Sequence, residues 1–268
     1  MGTAQRFDQL SAQLRSAVEG HEHLSGLVLL GSAAEQARSR RDEWSDHDFF
    51  AIAKPGRGTS VRGDLSWLPA PTELAATARE GEIGFVALYD DGHVFEFALA
   101  QIDELSGAIV EEADVVSDDD GRLGELVGHA RDRARAINAP DTRNETTLVF
   151  LKLLIGVGRA RRGEILTAGQ FVRTWAVQCL VRAVRARAAA DAGESRTAAI
   201  DPMRRFEDDH PALAARIAVA LERPVEEAAR MLYDLTRETL EPGWEGFPRR
   251  AADAVAARLG WKQTPSTR

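Results

Sequence analysis

The 268-residue sequence is short of several features that mark whole classes of protein. It has a single cysteine, Cys179, so no disulfide can form within the chain. Its neighbours Val177, Leu180 and Val181 mark it as a buried thiol acting as a small hydrophobe. His21, His23, His93 and His129 show no zinc-type spacing with cysteine. No stretch approaches the roughly 20 apolar residues that a membrane span requires. Met1-Gly2-Thr3-Ala4-Gln5-Arg6 runs into a polar amphipathic segment and lacks the apolar core of a secretion signal. These absences describe a cytoplasmic chain with no membrane partner. Lysine is scarce as well: only Lys54, Lys152 and Lys262 occur, against 31 arginines, a bias that follows genome composition more than function. No internal repeat is visible.

What is present is ordinary globular material, 44% hydrophobic and 28% charged, long enough for one large domain or two modest ones. The net charge of −8 is unevenly spread. Residues 1–140 hold 25 acids against 13 bases, so −12; residues 141–268 hold 17 acids against 21 bases, so +4. An acidic half beside a mildly basic one suits a cation-rich site that a polyphosphate enters from one side. Helix faces that differ by chance are the plainer alternative. The balance does not suit a protein that tracks a long nucleic acid, which needs a broad basic surface.

Hydrophobic periodicity divides the chain. Leu10, Leu14 and Val18 at helical spacing predict an N-terminal helix. Leu27-Val28-Leu29-Leu30, ending at Gly31, reads as a buried strand, and Asp48-Phe49-Phe50-Ala51-Ile52-Ala53, stopped by Pro55-Gly56, as a second. Residues 84–89 and 93–99 flank Asp90-Asp91-Gly92 and predict a hairpin. Ala113-Asp114-Val115-Val116 suggests one more strand. From about residue 121 the pattern is helical, over roughly 121–138, 144–161, 167–190, 207–222, 224–239 and 248–260. Gly163 and Ala192-Gly193 offer stops, and Pro211 and Pro224 suit first turns. The expected architecture is α+β: an N-terminal domain with a small mixed sheet over residues 1–138, then an all-helical domain over 139–268, the boundary falling near Asn138-Ala139-Pro140-Asp141.

One constellation carries chemistry. Leu29-Leu30-Gly31-Ser32 is followed, thirteen residues on, by Asp46-His47-Asp48-Phe49. A strand ending in Gly-Ser before a helix-capable Ala33-Ala34-Glu35-Gln36-Ala37 would expose backbone N–H groups at a helix N-terminus. With the Ser32 hydroxyl they would form an anion site for a triphosphate. Gly31 permits close backbone approach. Asp46 and Asp48 lie two residues apart at a strand entrance, so their side chains leave the same face, and two converging carboxylates hold hard divalent cations such as Mg²⁺. His47 between them points to the opposite side, toward the core. Taken alone, a Gly-Ser pair is a turn and Asp-X-Asp a solvated edge; in order, between two buried strands, they are specific.

In these residues the sequence resembles the DNA-polymerase-beta-like nucleotidyltransferase superfamily, whose pattern is a hydrophobic residue, Gly-Ser or Gly-Gly, a spacer, then Asp-X-Asp. The aminoglycoside and lincosamide nucleotidyltransferases, of similar size and with a helical C-terminal domain, are the nearest likeness, and Ser45-Asp46-His47-Asp48-Phe49-Phe50 is similar to their Ser-Asp-X-Asp-hydrophobic signature. Arg161-Arg162-Gly163-Glu164 resembles an Arg-Gly-Glu turn between helices, and Asp201-Pro202-Met203-Arg204 a loop before a late helix; both read as structural. The resemblance is specific over residues 24–100 and loose elsewhere.

The resemblance implies a third carboxylate on a neighbouring strand. Glu96 is the candidate, since Phe95 and Phe97 share one face of their strand and Glu96 points to the other; an exposed sheet face is the alternative. Lys152, a lone cation in a near-continuous apolar helix, is either a snorkelling side chain or a contact to the nucleotide phosphates. Glu145, two turns earlier on the same face, is the runner-up to Glu96 as general base. Trp67, Trp175, Trp244 and Trp261 read as packing. The implied activity is Mg²⁺-dependent transfer of a nucleotidyl group, AMP from ATP or its equivalent from another nucleoside triphosphate, to a hydroxyl of a small molecule, with antibiotic resistance as one outcome. The expected site is thus Asp46, Asp48 and Glu96 for metal and chemistry, with Gly31, Ser32 and Lys152 for the triphosphate. Two rivals keep the fold: a non-catalytic, antitoxin-like binding module, and an enzyme that nucleotidylates a protein. The sequence leaves the acceptor, the nucleobase and the oligomeric state open.

Overall fold

The run at Leu27-Val28-Leu29-Leu30 belongs to a longer strand, β1 (Leu24–Leu30), buried until its last residue. A strand covered on both faces has no reason to alternate, which accounts for its continuous apolar sequence. In this computed structural model, residues 3–137, 140–192 and 200–261 are described. The chain divides into two units, Met1–Ala136 and Ile137–Arg268. Asn138 and Ala139, at the expected boundary, and Gly193, an expected helix stop, lie outside the described residues.

The first unit is built on a six-stranded mixed sheet. With β2 (His47–Ala53), β3 (Leu74–Glu80), β4 (Gly84–Tyr89), β5 (Val94–Ala100) and β6 (Ala113–Asp118), the strand order is β3-β4-β5-β2-β1-β6. The β2–β5 pair is parallel and the other neighbours are antiparallel. The hairpin expected at Asp90-Asp91-Gly92 is the β4–β5 pair. Strand β3 was not expected: six of its seven residues are exposed, so it carries no alternation to read.

Alternation in the central strands sends side chains to two cores. Leu27, Leu29, Phe49, Ala51, Phe95, Phe97 and Leu99 pack beneath α1 (Thr3–Glu19), which contributes Phe7, Leu10, Leu14 and Val18. Val28, Ile52 and Ala100 pack on the opposite face with Leu123, Leu126, Val127 and Ala130 of α3 (Leu123–Arg135). A fully buried Leu contributes about 1.5–3 kcal/mol relative to an exposed one. Helix α2 (Gly58–Arg62) is a single short turn after β2.

The second unit is helical: α4 (Thr142–Arg161), α5 (Ile165–Gly169), α6 (Val177–Asp191), α7 (Phe206–Asp209), α8 (Pro211–Leu221), α9 (Val225–Leu240) and α10 (Arg249–Leu259). Pro211 opens α8 as expected, whereas Pro224 is the residue before α9. The helix expected over 167–190 is interrupted by a π-helical segment, Gln170–Ala176. That segment lies against Gly156 of α4, where a Cβ would stand 2.6 Å from Val172 Cγ2, so only glycine fits the approach. Cys179 is buried in this core. Glu164 is gripped by Arg159 and Arg162, which closes the turn between α4 and α5. Among the described residues no helix is long and apolar enough to cross a membrane.

Candidate active site

β1 ends at Leu30 opposite Asp48 of β2, and Asp48 lies opposite Glu96 of β5. The two carboxylate-bearing residues are therefore register partners on one face of the sheet, while Phe95 and Phe97 turn to the other. Adjacent strands are about 4.8 Å apart. Like charges placed directly opposite are destabilising unless a cation or water intervenes. Asp48 is half-buried and Glu96 exposed, and Glu96 has no hydrogen bond or ion pair with any described residue.

The Gly31-Ser32 turn locks onto the start of β2. Ser32 Oγ donates to the Asp46 carbonyl at 2.6 Å, with the Asp46 carboxylate oxygen Oδ1 3.1 Å away. Gly31 has φ of +48°, the left-handed region that favours glycine, and a Cβ there would stand 3.1 Å from Asp48 Oδ2. Gly31 and Ser32 are thus brought against the two aspartates.

The helix expected after Ser32 does not form. Residues Gly31–Ala33 and Glu35–Arg40 are 3-10 turns, separated by Ala34 in an extended conformation. The competing interactions are visible. Glu35 N–H donates to the Asp114 carboxylate, Gly31 N–H to the Glu112 carbonyl at 3.1 Å, and Ala34 N–H to the Gly31 carbonyl at 3.1 Å. With the Gly31, Ala34 and Glu35 N–H groups so engaged, the anion cradle is smaller than expected.

Arg41 closes the turn from the other side, and spacing alone gave no sign of it. Its Nε donates to the Ser32 carbonyl at 2.8 Å, and its NH2 group to the carbonyls of Ala33 and Ala34 at 2.9 and 3.1 Å. The guanidinium sits 4.7 Å from the Phe7 ring centroid. A fork of donors on three successive carbonyls fixes a loop that has no regular helix to hold it.

His47 is fully buried on the α1 face, as its place between the aspartates requires. Its ring stacks on Phe7 at 3.8 Å, with Nε2 2.8 Å from Ser11 Oγ and Nδ1 2.7 Å from His93 Nε2. Burial, and then the nearby His93 and Arg41, push its pKa down to about 2. It remains neutral and serves as a floor beneath the carboxylates.

Lys152 and Glu145 belong to the second unit. Lys152 lies 5.5 Å from the ring centroids of both Phe171 and Trp175. Glu145 is buried and paired with Arg182 at 2.8 Å, which engages the carboxylate that a general base would need. Trp67 is buried, and Trp244 and Trp261 pack against the helical core. Trp44, two residues before Asp46, is 85% exposed.

Asp46, Asp48 and Glu96 offer oxygen donors alone, the set that Mg²⁺ prefers. Among the described residues no group of three or more His, Cys, Asp or Glu side chains is arranged to hold a metal ion on its own. Mg²⁺ binds through one or two carboxylates, water and substrate phosphates, so the donor chemistry fits such an ion when a triphosphate completes its shell.

No protein-family model matches the chain, and no curated protein matches it. Solved structures do. An aminoglycoside 6-adenyltransferase from Bacillus subtilis is 16% identical, with a TM-score of 0.32, covering 98% of this chain and 94% of that one. A nucleotidyltransferase-like protein from Exiguobacterium sibiricum is 14% identical, with a TM-score of 0.30, over 88% of this chain and 75% of that one. The CD-NTase CdnG of Bradyrhizobium diazoefficiens, in complex with GTP, is 16% identical, with a TM-score of 0.28, over 96% and 92%. Likeness at this level assigns neither a family nor an activity.

Proposed function

We propose that the chain is a divalent-metal-dependent nucleotidyltransferase that moves a nucleotidyl group, AMP from ATP, to a hydroxyl of a small molecule such as an aminoglycoside or lincosamide. The observation that carries this reading is the clasp between the two motifs: Ser32 bonded to Asp46, and Gly31 stripped of a Cβ where Asp48 approaches. A plain turn followed by a solvated Asp-X-Asp edge would need neither.

Asp46 and Asp48, with Glu96, would hold the metal, which when bound neutralises charge on the triphosphate and on the departing pyrophosphate. Gly31 and Ser32 would position the triphosphate from this turn. Arg41 keeps them aimed by gripping the carbonyls of the same turn. Glu96, exposed on the row beside Asp48, takes the proton of the acceptor hydroxyl at its carboxylate as the new O–P bond forms. Its preference over Glu145 follows from the Arg182 pairing of the latter. Lys152, its ammonium steadied by Phe171 and Trp175 within its own unit, is proposed as a phosphate contact on its charge alone. The acidic first half suits a cationic acceptor and disfavours nucleic acid. A cytoplasmic setting and a role in antibiotic resistance belong to the same reading.

Asp46→Asn and Asp48→Asn should abolish transfer of labelled AMP while preserving the fold. Calorimetry with ATP and Mg²⁺ tests the rival: absence of metal-dependent nucleotide binding would make the chain a binding module instead.

A further inference from the structure

An open groove of about 560 Å³ lies wholly within the second unit, where the first turns of α4 and α10 meet. Arg143, Arg249 and Arg250 line it together with Thr147, Phe247 and Pro248, and no Asp or Glu does. Arg249 is held in place. Its Nε donates to Glu241 Oε1 at 2.9 Å, and its guanidinium lies 5.9 Å from the Phe247 ring centroid. Glu241 also accepts from Arg237 Nε at 2.7 Å, and Arg237 pairs as well with Asp253 at 3.0 Å, so these four charges balance and the cationic excess of the groove rests on Arg143 and Arg250. Arg143 and Arg250 are exposed and have no hydrogen bond or ion pair with any described residue through their side chains.

Three guanidiniums on one concavity repel one another, and a multivalent anion between them relieves the repulsion. The planar fork of arginine matches phosphate oxygens in pairs. The first turn of α10 has no side-chain cap, so the positive end of its dipole adds to the same field.

We propose that this groove is a binding site for a compact polyphosphate group, supplied either by inorganic pyrophosphate or by the phosphate chain of a nucleotide. It stands independently of the transfer chemistry, which is read through Asp46 and Asp48.

The test is calorimetric titration of the full chain with pyrophosphate in EDTA, which removes divalent ions that could draw the anion to the carboxylates. Three proteins are compared: wild type, Arg143→Gln with Arg250→Gln, and a charge-matched control, Arg223→Gln with Arg258→Gln, outside the groove. Circular dichroism establishes that each is folded. Charge-assisted hydrogen bonds imply weakening of at least about ten-fold in the groove variant and less than about two-fold in the control. ATP losing affinity in parallel identifies the nucleotide phosphate chain as the source, and pyrophosphate alone responding identifies the inorganic anion; both support the site. Equal losses in the two variants, or no binding by wild type, overturn it. Tighter binding of a short single-stranded RNA, lost in the same variant, also overturns it in favour of a polymer surface.

Discussion

Asp48 of β2 and Glu96 of β5 face each other as register partners in the parallel pair at the heart of the sheet. Two like charges on one row are a standing cost in the absence of a cation. Glu96→Gln should therefore leave the metal-free protein as stable as wild type or more so, by up to about 1 kcal/mol. Added Mg²⁺ with ATP should raise the melting temperature of wild type more than that of the variant, because a ligand stabilises the state that binds it. Thermal melts with and without Mg²⁺ and ATP check this, and equal shifts would remove Glu96 from the site.

Gly31→Ala forces a left-handed residue to carry a Cβ and places that carbon 3.1 Å from Asp48 Oδ2. The backbone term costs about 1–2 kcal/mol, a few degrees of melting temperature. The displaced carboxylate should weaken metal-dependent nucleotide binding far more than the loss of stability explains. Calorimetry on the folded variant separates the two effects.

Arg41→Lys retains the charge and discards the fork. A single ammonium cannot span the carbonyls of Ser32, Ala33 and Ala34, so the turn should loosen. Faster amide exchange at Ala34, whose N–H donates to the Gly31 carbonyl, with transfer activity reduced by about ten-fold or more, is the expected result. Unchanged exchange would show that the turn holds itself.

His47 bonds to Ser11 of α1 and to His93 just before β5, and burial keeps it neutral in the fold. Burial also lowers the pKa of His93. The unfolded chain protonates both near the ordinary value of about 6.5, so it binds more protons than the fold below that pH. Stability is complete above this range and falls as pH drops through it, by about 1.4 kcal/mol per pH unit for each residue that stays neutral. Melts in EDTA between about pH 7.5 and 5.5 should show the decline, and His47→Phe should flatten it.

The strands that carry the site were readable because burial imposed a pattern on them. β1 is continuously apolar from Leu27 to Leu30 since both its faces are covered, and Phe95-Glu96-Phe97 alternates since only one face is. β3 was invisible for the opposite reason: an exposed edge strand gives its side chains nothing to select. The segment after Ser32 misled because Ala33–Ala37 has helix-forming composition, whereas its conformation is set by Asp114, Glu112 and Arg41, which are close only in the fold. Arg41 itself sits in a run of arginines and carries no local signal. The π-helical segment was equally hidden, since its fit depends on Gly156 of another helix.

The central claim is that the carboxylates clasped by Gly31 and Ser32 perform nucleotidyl transfer. Its most direct measurement is incubation with isotopically labelled ATP, Mg²⁺ and a panel of aminoglycosides and lincosamides, read by mass spectrometry. The expected result is an AMP adduct on one acceptor with wild type and none with an Asp48→Asn protein that is folded to the same extent. Undiminished transfer by Asp48→Asn would contradict the account.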